Sequence, residues 1–369
     1  MKKTNGVKLA IFFVLAVFVL AGCGGGQTES TNAGVPNSGA TGSTSEGTAN
    51  EASQSQETTA QWPVVMGTHP SGSFINTMGV TLASVAGENG MTINVSPYGG
   101  PAQWMPEMAD ELIQFGIESP HGLQWAYNGI QGYPQPNKFL RLVTAGVYPV
   151  QMGMLTRKDS NINTPADLKG KRIPTGFGTQ VASHIATMAI LSSGGVSEGE
   201  IKSVPVTSIT DAGELFQDGA VDVIVLPTSS PQVKELDASI GVKYIDLPNS
   251  PEAVNAVRQF LPGASIAPVA PGEAGVEKET NMLAYYFSVV AHENVPNENV
   301  RALLDVWWNN EEKIQSTHPA MKNWKNEQQV QKDPEEIVIP YHPAAVEFYK
   351  EKSLWTDAHE QRQQELLNQ

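Results

Sequence analysis

Hydrophobic and polar positions follow two periods along the chain, and these periods mark out alternating strands and helices. Trp62 to Gly67 is a short apolar run that predicts a strand, and Phe74, Met78, Leu82 and Val85 then recur at helical spacing. Met91 to Ser96 alternates as a second strand, Ala102 to Asp110 reads as a helix, and Leu112 to Ile117 as a third strand. Each strand runs into small or polar residues: Gly67 to Ser73, Pro97 to Pro101, and Glu118 to His121. This βαβαβ order predicts a mostly parallel sheet with ligands at the carboxyl ends of its strands. Phe139 to Thr156 is long and apolar, broken by Tyr148-Pro149, and reads as two strands crossing between domains.

A second α/β unit opens at Thr164. Asp167 to Gly170 makes a turn, and Lys171 to Ile173 a short strand closed by Pro174, which cannot donate to a sheet ladder. Gly176 and Gly178 flank Phe177, Thr179 is a candidate helix cap, and Val181, Ile185 and Met188 share one face before Gly194 closes the helix. Strands are predicted at Ile201–Val206, Val221–Leu226 and Val242–Leu247, and helices at Thr210–Gln217 (capped by Thr210 or Asp211), Gln232–Ala238 and Glu252–Phe260. Leu261 to Gly275 is rich in Pro, Gly and Ala and reads as a connection. Asn281 to Ala291 is apolar throughout and predicts a central strand returning to the first domain. Val300, Leu303, Leu304, Trp307, Trp308 and Ile314 form a helical face, so the paired tryptophans read as core. Ala344 to Lys352 is a further helix, and the polar stretch after Trp355 is expected to fray. The expected organisation is a first lobe from residues 61–150 and 273–352, a second from 151–272, and a polar tail from 353–369.

The N-terminus changes this picture. Lys2, Lys3 and Lys8 precede twelve apolar residues, Leu9 to Leu20, too few to span a bilayer but the right length for a signal peptide. Leu20-Ala21-Gly22-Cys23 resembles the bacterial lipobox, and Cys23 is the single cysteine of the 369-residue chain. Residues 1–22 are therefore expected to be removed, and Cys23 to carry lipid that anchors the protein to the outer side of a bacterial membrane. One thiol allows no intramolecular disulfide. Gln27 to Ala60 holds no aromatic residue and no Leu, Ile, Met or Phe, so residues 23–60 are expected to form a disordered tether. Its reach is roughly 30–35 Å. From Cys23 onward 20 basic residues face 38 acidic ones, a balance that argues against nucleic acid and against docking on anionic lipid through basic patches.

The chemistry suggested by the strand ends is binding rather than catalysis. Thr68, Ser71, Gly72, Ser73, Tyr98, Gly99, Gly100, Ser119, His121, Phe177, Gly178, Thr179, Gln180, Thr228 and Ser229 are the candidate ligand contacts. Most offer N–H or O–H donors without formal charge, which suits a carboxylate or amide, and each has a second reading as a cap or turn. Arg141, Arg157 and Arg172 lie on or beside strands and offer no clamp for a dicarboxylate. No Gly-x-Ser-x-Gly, His-Glu-x-x-His or Gly-x-x-x-x-Gly-Lys-Ser/Thr motif occurs, and the seven histidines have no metal-site spacing. Neither catalytic residue, metal nor cofactor is expected.

An ordered set of these segments resembles one family. The set comprises Gly67 to Ser73 leading into a helix, Gly99-Gly100, Tyr127-Asn128-Gly129, Asp167 to Arg172, Gly178-Thr179, Gln217-Asp218-Gly219 with Asp222, His318-Pro319 and His342-Pro343. Together they resemble the TAXI solute receptors of TRAP (tripartite ATP-independent periplasmic) transporters, over about Val64 to Tyr349. The resemblance implies an α/β, type II periplasmic-binding-protein fold: two lobes joined by crossover strands, with a ligand cleft between. It implies a small polar solute, an amino acid or organic acid such as glutamate, passed by a monomer to a separate ion-gradient-driven permease. A receptor for an ABC importer and a ligand-sensing lipoprotein share the same fold. The chain departs from the family in its cleft loops. His69-Pro70-Ser71-Gly72-Ser73 replaces a glycine-rich loop, Ile75 and Asn76 replace a tyrosine pair, the loop Pro97 to Trp104 brings an extra proline and a tryptophan, and Glu118-Ser119-Pro120-His121 is unusual.

Overall fold

The computed structural model describes residues 60–177 and 181–369. The expected signal peptide, Cys23, nearly all of the tether, and Gly178, Thr179 and Gln180 lie outside the described residues. The first half is strand and helix in alternation: β1 (Val64–Thr68), α1 (Phe74–Gly87), β2 (Ile93–Pro97), α2 (Pro101–Ala109), β3 (Phe115–Glu118) and α3 (Pro120–Asn128). β1 pairs in parallel with both β2 and β3, so all three strands point their carboxyl ends the same way. α1 buries Met78, Leu82 and Val85 at helical spacing, and Ser73 caps it by accepting from Asn76 N–H at 3.1 Å.

Phe139 to Thr156 forms a single strand, β4 (Leu140–Arg157), where two were expected. The strand bends at Gly146, whose φ of +83° is open to glycine at little cost. Then follow β5 (Arg172–Thr175), α4 (Val181–Ser193), β6 (Lys202–Pro205), α5 (Ile209–Gln217), β7 (Val223–Pro227), α6 (Pro231–Ile240), β8 (Val242–Tyr244) and α7 (Pro251–Arg258). The cap of α5 is Ser208, not Thr210 or Asp211: its hydroxyl accepts from Asp211 N–H at 3.1 Å. The connection expected at Leu261–Gly275 contains a strand, β9 (Ser265–Val269). It pairs only with its neighbour, and an edge strand tolerates Pro268.

β10 (Thr280–His292) is the predicted central strand, and it joins the two halves. Its first residues pair with β9 and its last with β3, both antiparallel. β4 runs beside it from Leu283 to His292, and the far end of β4 carries β7 and β8. The pairing of β4 with β10 is irregular around Tyr285, Phe287 and Val289, the same level as the Gly146 bend. Two α/β lobes joined by two crossing strands result, as the sequence predicts. α8 (Asn297–Asn309), α9 (Glu311–Thr317), α10 (Pro343–Glu351) and α11 (Asp357–Leu367) complete the chain against the first core. Trp307 is buried there and donates from Nε1 to Leu82 O at 3.2 Å.

Residues 353–369 are not a fraying tail. α11 is fastened by polar side chains that hydropathy cannot see. Gln363 accepts from Tyr341 N–H at 2.8 Å and donates back to Tyr341 O at 2.9 Å, His359 Nε2 lies 2.8 Å from Gln331 O, and Tyr127 OH donates to Leu366 O. Between the lobes, Arg258 at the end of α7 reaches Asp333 at 2.6 Å and Glu336 at 3.8 Å, on a segment leading into the first core. Burial pushes the Glu336 carboxyl up to about 7, against the pull of Arg258 and Ser265.

Candidate functional site

Two cavities stand out, one against the crossing strands and one at the ends of β1, β2 and β3. The larger, about 510 Å³, is lined by the middle of β4, by Tyr285 and Phe287 of β10, by Thr228 and Ser229 after β7, by Phe74, and by Lys234 and Lys322. The other, about 410 Å³, is lined by the loops after β1, β2 and β3 and by Ala182 at the start of α4. A row of rings runs from the lining of one to that of the other: Phe74, Phe287, Tyr285, His121 and Trp125, with successive centroids 5.6, 5.7, 5.3 and 5.2 Å apart. These are the offset and edge-on spacings that aromatic pairs prefer.

The candidate residues divide among these places. Gly99, Gly100, Ser119 and His121 line the smaller cavity, and Thr228 and Ser229 the larger. Thr68 is fully buried and receives Asn76 Nδ2 at 3.1 Å, so it braces α1. Ser73 is a cap, while Ser71 and Gly72 are exposed. Tyr98 donates to Glu107 at 2.7 Å, and burial with that carboxylate pushes its phenol up to about 12. Phe177 lies between β5 and α4 at φ +32°, with its side chain buried in the core with Phe216 and Leu226. Trp104 is likewise no cleft residue: it is fully buried on α2, over Gly67 and Gly116. Cys23, Gly178, Thr179 and Gln180 lie outside the described residues. Arg157 donates to Gln217 O at 2.7 Å and Arg172 holds Asp222 at 2.5 Å; both line a smaller third cavity of about 240 Å³ rather than either of these two.

The residue that sequence reasoning missed is Glu118. It ends β3, is 4% exposed, and lines the smaller cavity. Oε1 accepts Ser119 N–H at 2.7 Å and the Ser119 hydroxyl at 2.6 Å, and Oε2 meets His69 Nε2 at 2.7 Å. Burial alone would push this carboxyl up, but the His69 imidazole and the two Ser119 donors hold it below the usual carboxylate range. Gly122 makes the arrangement possible, since a Cβ there would stand 2.7 Å from Glu118 Oε1. Ser119 also caps α3 by accepting Gly122 N–H at 3.3 Å. His121, expected on a loop, sits in the first turn of α3, where burial brings its imidazole down to about 4 despite the Glu118 charge. The missed signal was the Glu-Ser-Pro-His run itself, because a carboxylate is seldom buried without a partner and its partner lies 49 residues upstream.

Among the described residues no group of three His, Cys, Asp or Glu is placed to hold a metal. No described helix is long and apolar enough to cross a membrane. Residues 66–353 match the NMT1-like family. The chain belongs to the NMT1-like family. Among solved structures, this NMT1-like chain is similar to a TctC solute-binding protein from Polaromonas, at 14% identity and a TM-score of 0.47, over 70% of this chain and 85% of that one. It is similar to the aliphatic sulphonate-binding protein SsuA of Escherichia coli at 15% identity and a TM-score of 0.46, over 83% and 99%. It is also similar to MatC of Rhodopseudomonas palustris with bound malate, at 12% identity and a TM-score of 0.45, over 82% and 97%.

Proposed function

We propose that this chain is an extracytoplasmic solute receptor, held to the membrane by lipid on Cys23. It captures a small polar solute of the amino acid or organic acid class, glutamate-like in size, between its lobes. It passes that solute, as a monomer, to a separate ion-gradient-driven permease of the TRAP type, as the TAXI resemblance implies. The reading assigns it no catalytic step. The observation that carries it is a pair of cavities, about 510 Å³ against the strands that join the lobes and about 410 Å³ between the first-lobe strand ends and the start of α4. Their size suits one small molecule, and concave sites between lobes with a few polar groups are where such ligands bind. Membership of the NMT1-like family and the resemblance to solute-binding proteins support the same reading. Native mass spectrometry of the purified chain is expected to show a small organic molecule carried through purification and lost on unfolding. A preparation always free of such a molecule, and unresponsive to added amino and organic acids, would contradict it.

A further inference from the structure

The hydrogen bonds around Glu118 fix which groups the smaller cavity offers, and this inference rests on the receptor reading above. A carboxylate only accepts, so the Ser119 hydroxyl proton is committed to Glu118 Oε1 at 2.6 Å. His121 Nε2, 3.0 Å from the same hydroxyl oxygen, must therefore be the donor. A neutral imidazole has one N–H, so His121 Nδ1 carries a lone pair. No partner for Nδ1 is present among the described residues, although His121 is only 8% exposed. A buried acceptor without a donor is costly, and a ligand that donates removes the cost. Glu118 Oε2 has the His69 contact and one further lone pair. Trp125 and Tyr133 line the same cavity, and aromatic rings beside a carboxylate favour a cation.

We propose that this cavity receives the protonated amino group of the solute, with Glu118 Oε2 as its acceptor, Trp125 and Tyr133 beside it, and His121 Nδ1, closed off in this structure, as a second acceptor once the ring turns to the solute. The solute is then an amine-bearing molecule rather than a plain mono- or dicarboxylate. Titration calorimetry on the purified full chain, freed of carried solute, tests this with matched pairs: L-glutamate against glutarate, L-leucine against 4-methylpentanoate, and γ-aminobutyrate against butyrate. At least one amine is expected to bind, its amine-free partner being weaker by roughly 10- to 100-fold, as for a lost charge-assisted hydrogen bond. Glu118→Gln should weaken the amine by a similar factor and should not weaken its amine-free partner, an anion that loses a like charge nearby. Melting curves check that the variant folds. Two milder changes decide independently. In His121→Asn the amide oxygen takes the place of Nδ1, whereas in His121→Gln the amide nitrogen takes the place of Nε2. The Asn variant should keep amine affinity and the Gln variant lose it. Equal affinity for both members of the pairs, or amine affinity indifferent to Glu118→Gln and His121→Gln, overturns the inference and leaves the receptor reading standing. If no solute of any class binds, the receptor reading falls and this inference with it.

Discussion

Replacing Gly146 by alanine is expected to destabilise the chain by about 3 kcal/mol or more. Gly146 lies at φ +83° in the bend of β4, and a Cβ there would stand 1.9 Å from Phe287 O and 2.8 Å from Met78 Cε. The left-handed conformation costs a side chain about 1–2 kcal/mol, and forcing atoms into a filled space about 1–3 kcal/mol more. The obstructing oxygen belongs to the backbone of β10, so it cannot swing aside. Gln329 holds the site from the other side, accepting Gly146 N–H at 3.1 Å and donating to Gly146 O at 3.1 Å. Gly72→Ala is the control: its φ is +84°, but no atom lies within 4 Å of the added Cβ. Thermal melts should separate the two variants by several degrees, at roughly 2–4 °C per kcal/mol for a chain of this size. Equal melting points would mean that the crossing strands do not approach each other as described.

Trp104→Ala is expected to cost about 3–5 kcal/mol, the range for emptying a buried aromatic site. Its indole is fully buried and fills the space left by Gly67 and Gly116, where added Cβ atoms would lie 2.9 and 2.5 Å from the ring. Trp104→Phe should lose less, since it keeps part of the packing. The cleft position expected from the sequence predicts the opposite pattern, lost affinity with stability kept. Denaturant melts with titration of the carried solute distinguish the two. A Trp104→Ala chain as stable as the wild type would return this residue to the cleft.

The parts of the fold legible in the sequence were those written in hydrophobic periodicity. Met78, Leu82 and Val85 announced α1, and the apolar run from Asn281 announced the strand that joins the lobes, because a strand covered on both faces needs no polar alternation. What hydropathy does not encode stayed hidden. Pro268 disguised β9, which is tolerated only because it is an edge. The stretch after Trp355 is polar in composition, yet buries His359 and Gln363 through hydrogen bonds to residues 22 to 28 positions earlier. At the site, the strand-end loops singled out in the sequence include Gly99, Gly100, Ser119, Thr228 and Ser229, all of which line cavities. Local sequence could not distinguish these from Thr68 and Phe177, which are buried as structure, nor reveal that Gly122 leaves room for a buried Glu118.

The central claim is capture of a small solute between two lobes joined by β4 and β10, and solution X-ray scattering tests it most directly, because such capture is expected to draw the lobes together. Profiles of the purified chain would be recorded free of solute and then saturated with the molecule identified by mass spectrometry. The account predicts a smaller radius of gyration at saturation, as the cavity-lining ends of the lobes approach while the Arg258 contact with Asp333 holds. Superimposable profiles at full saturation would contradict it.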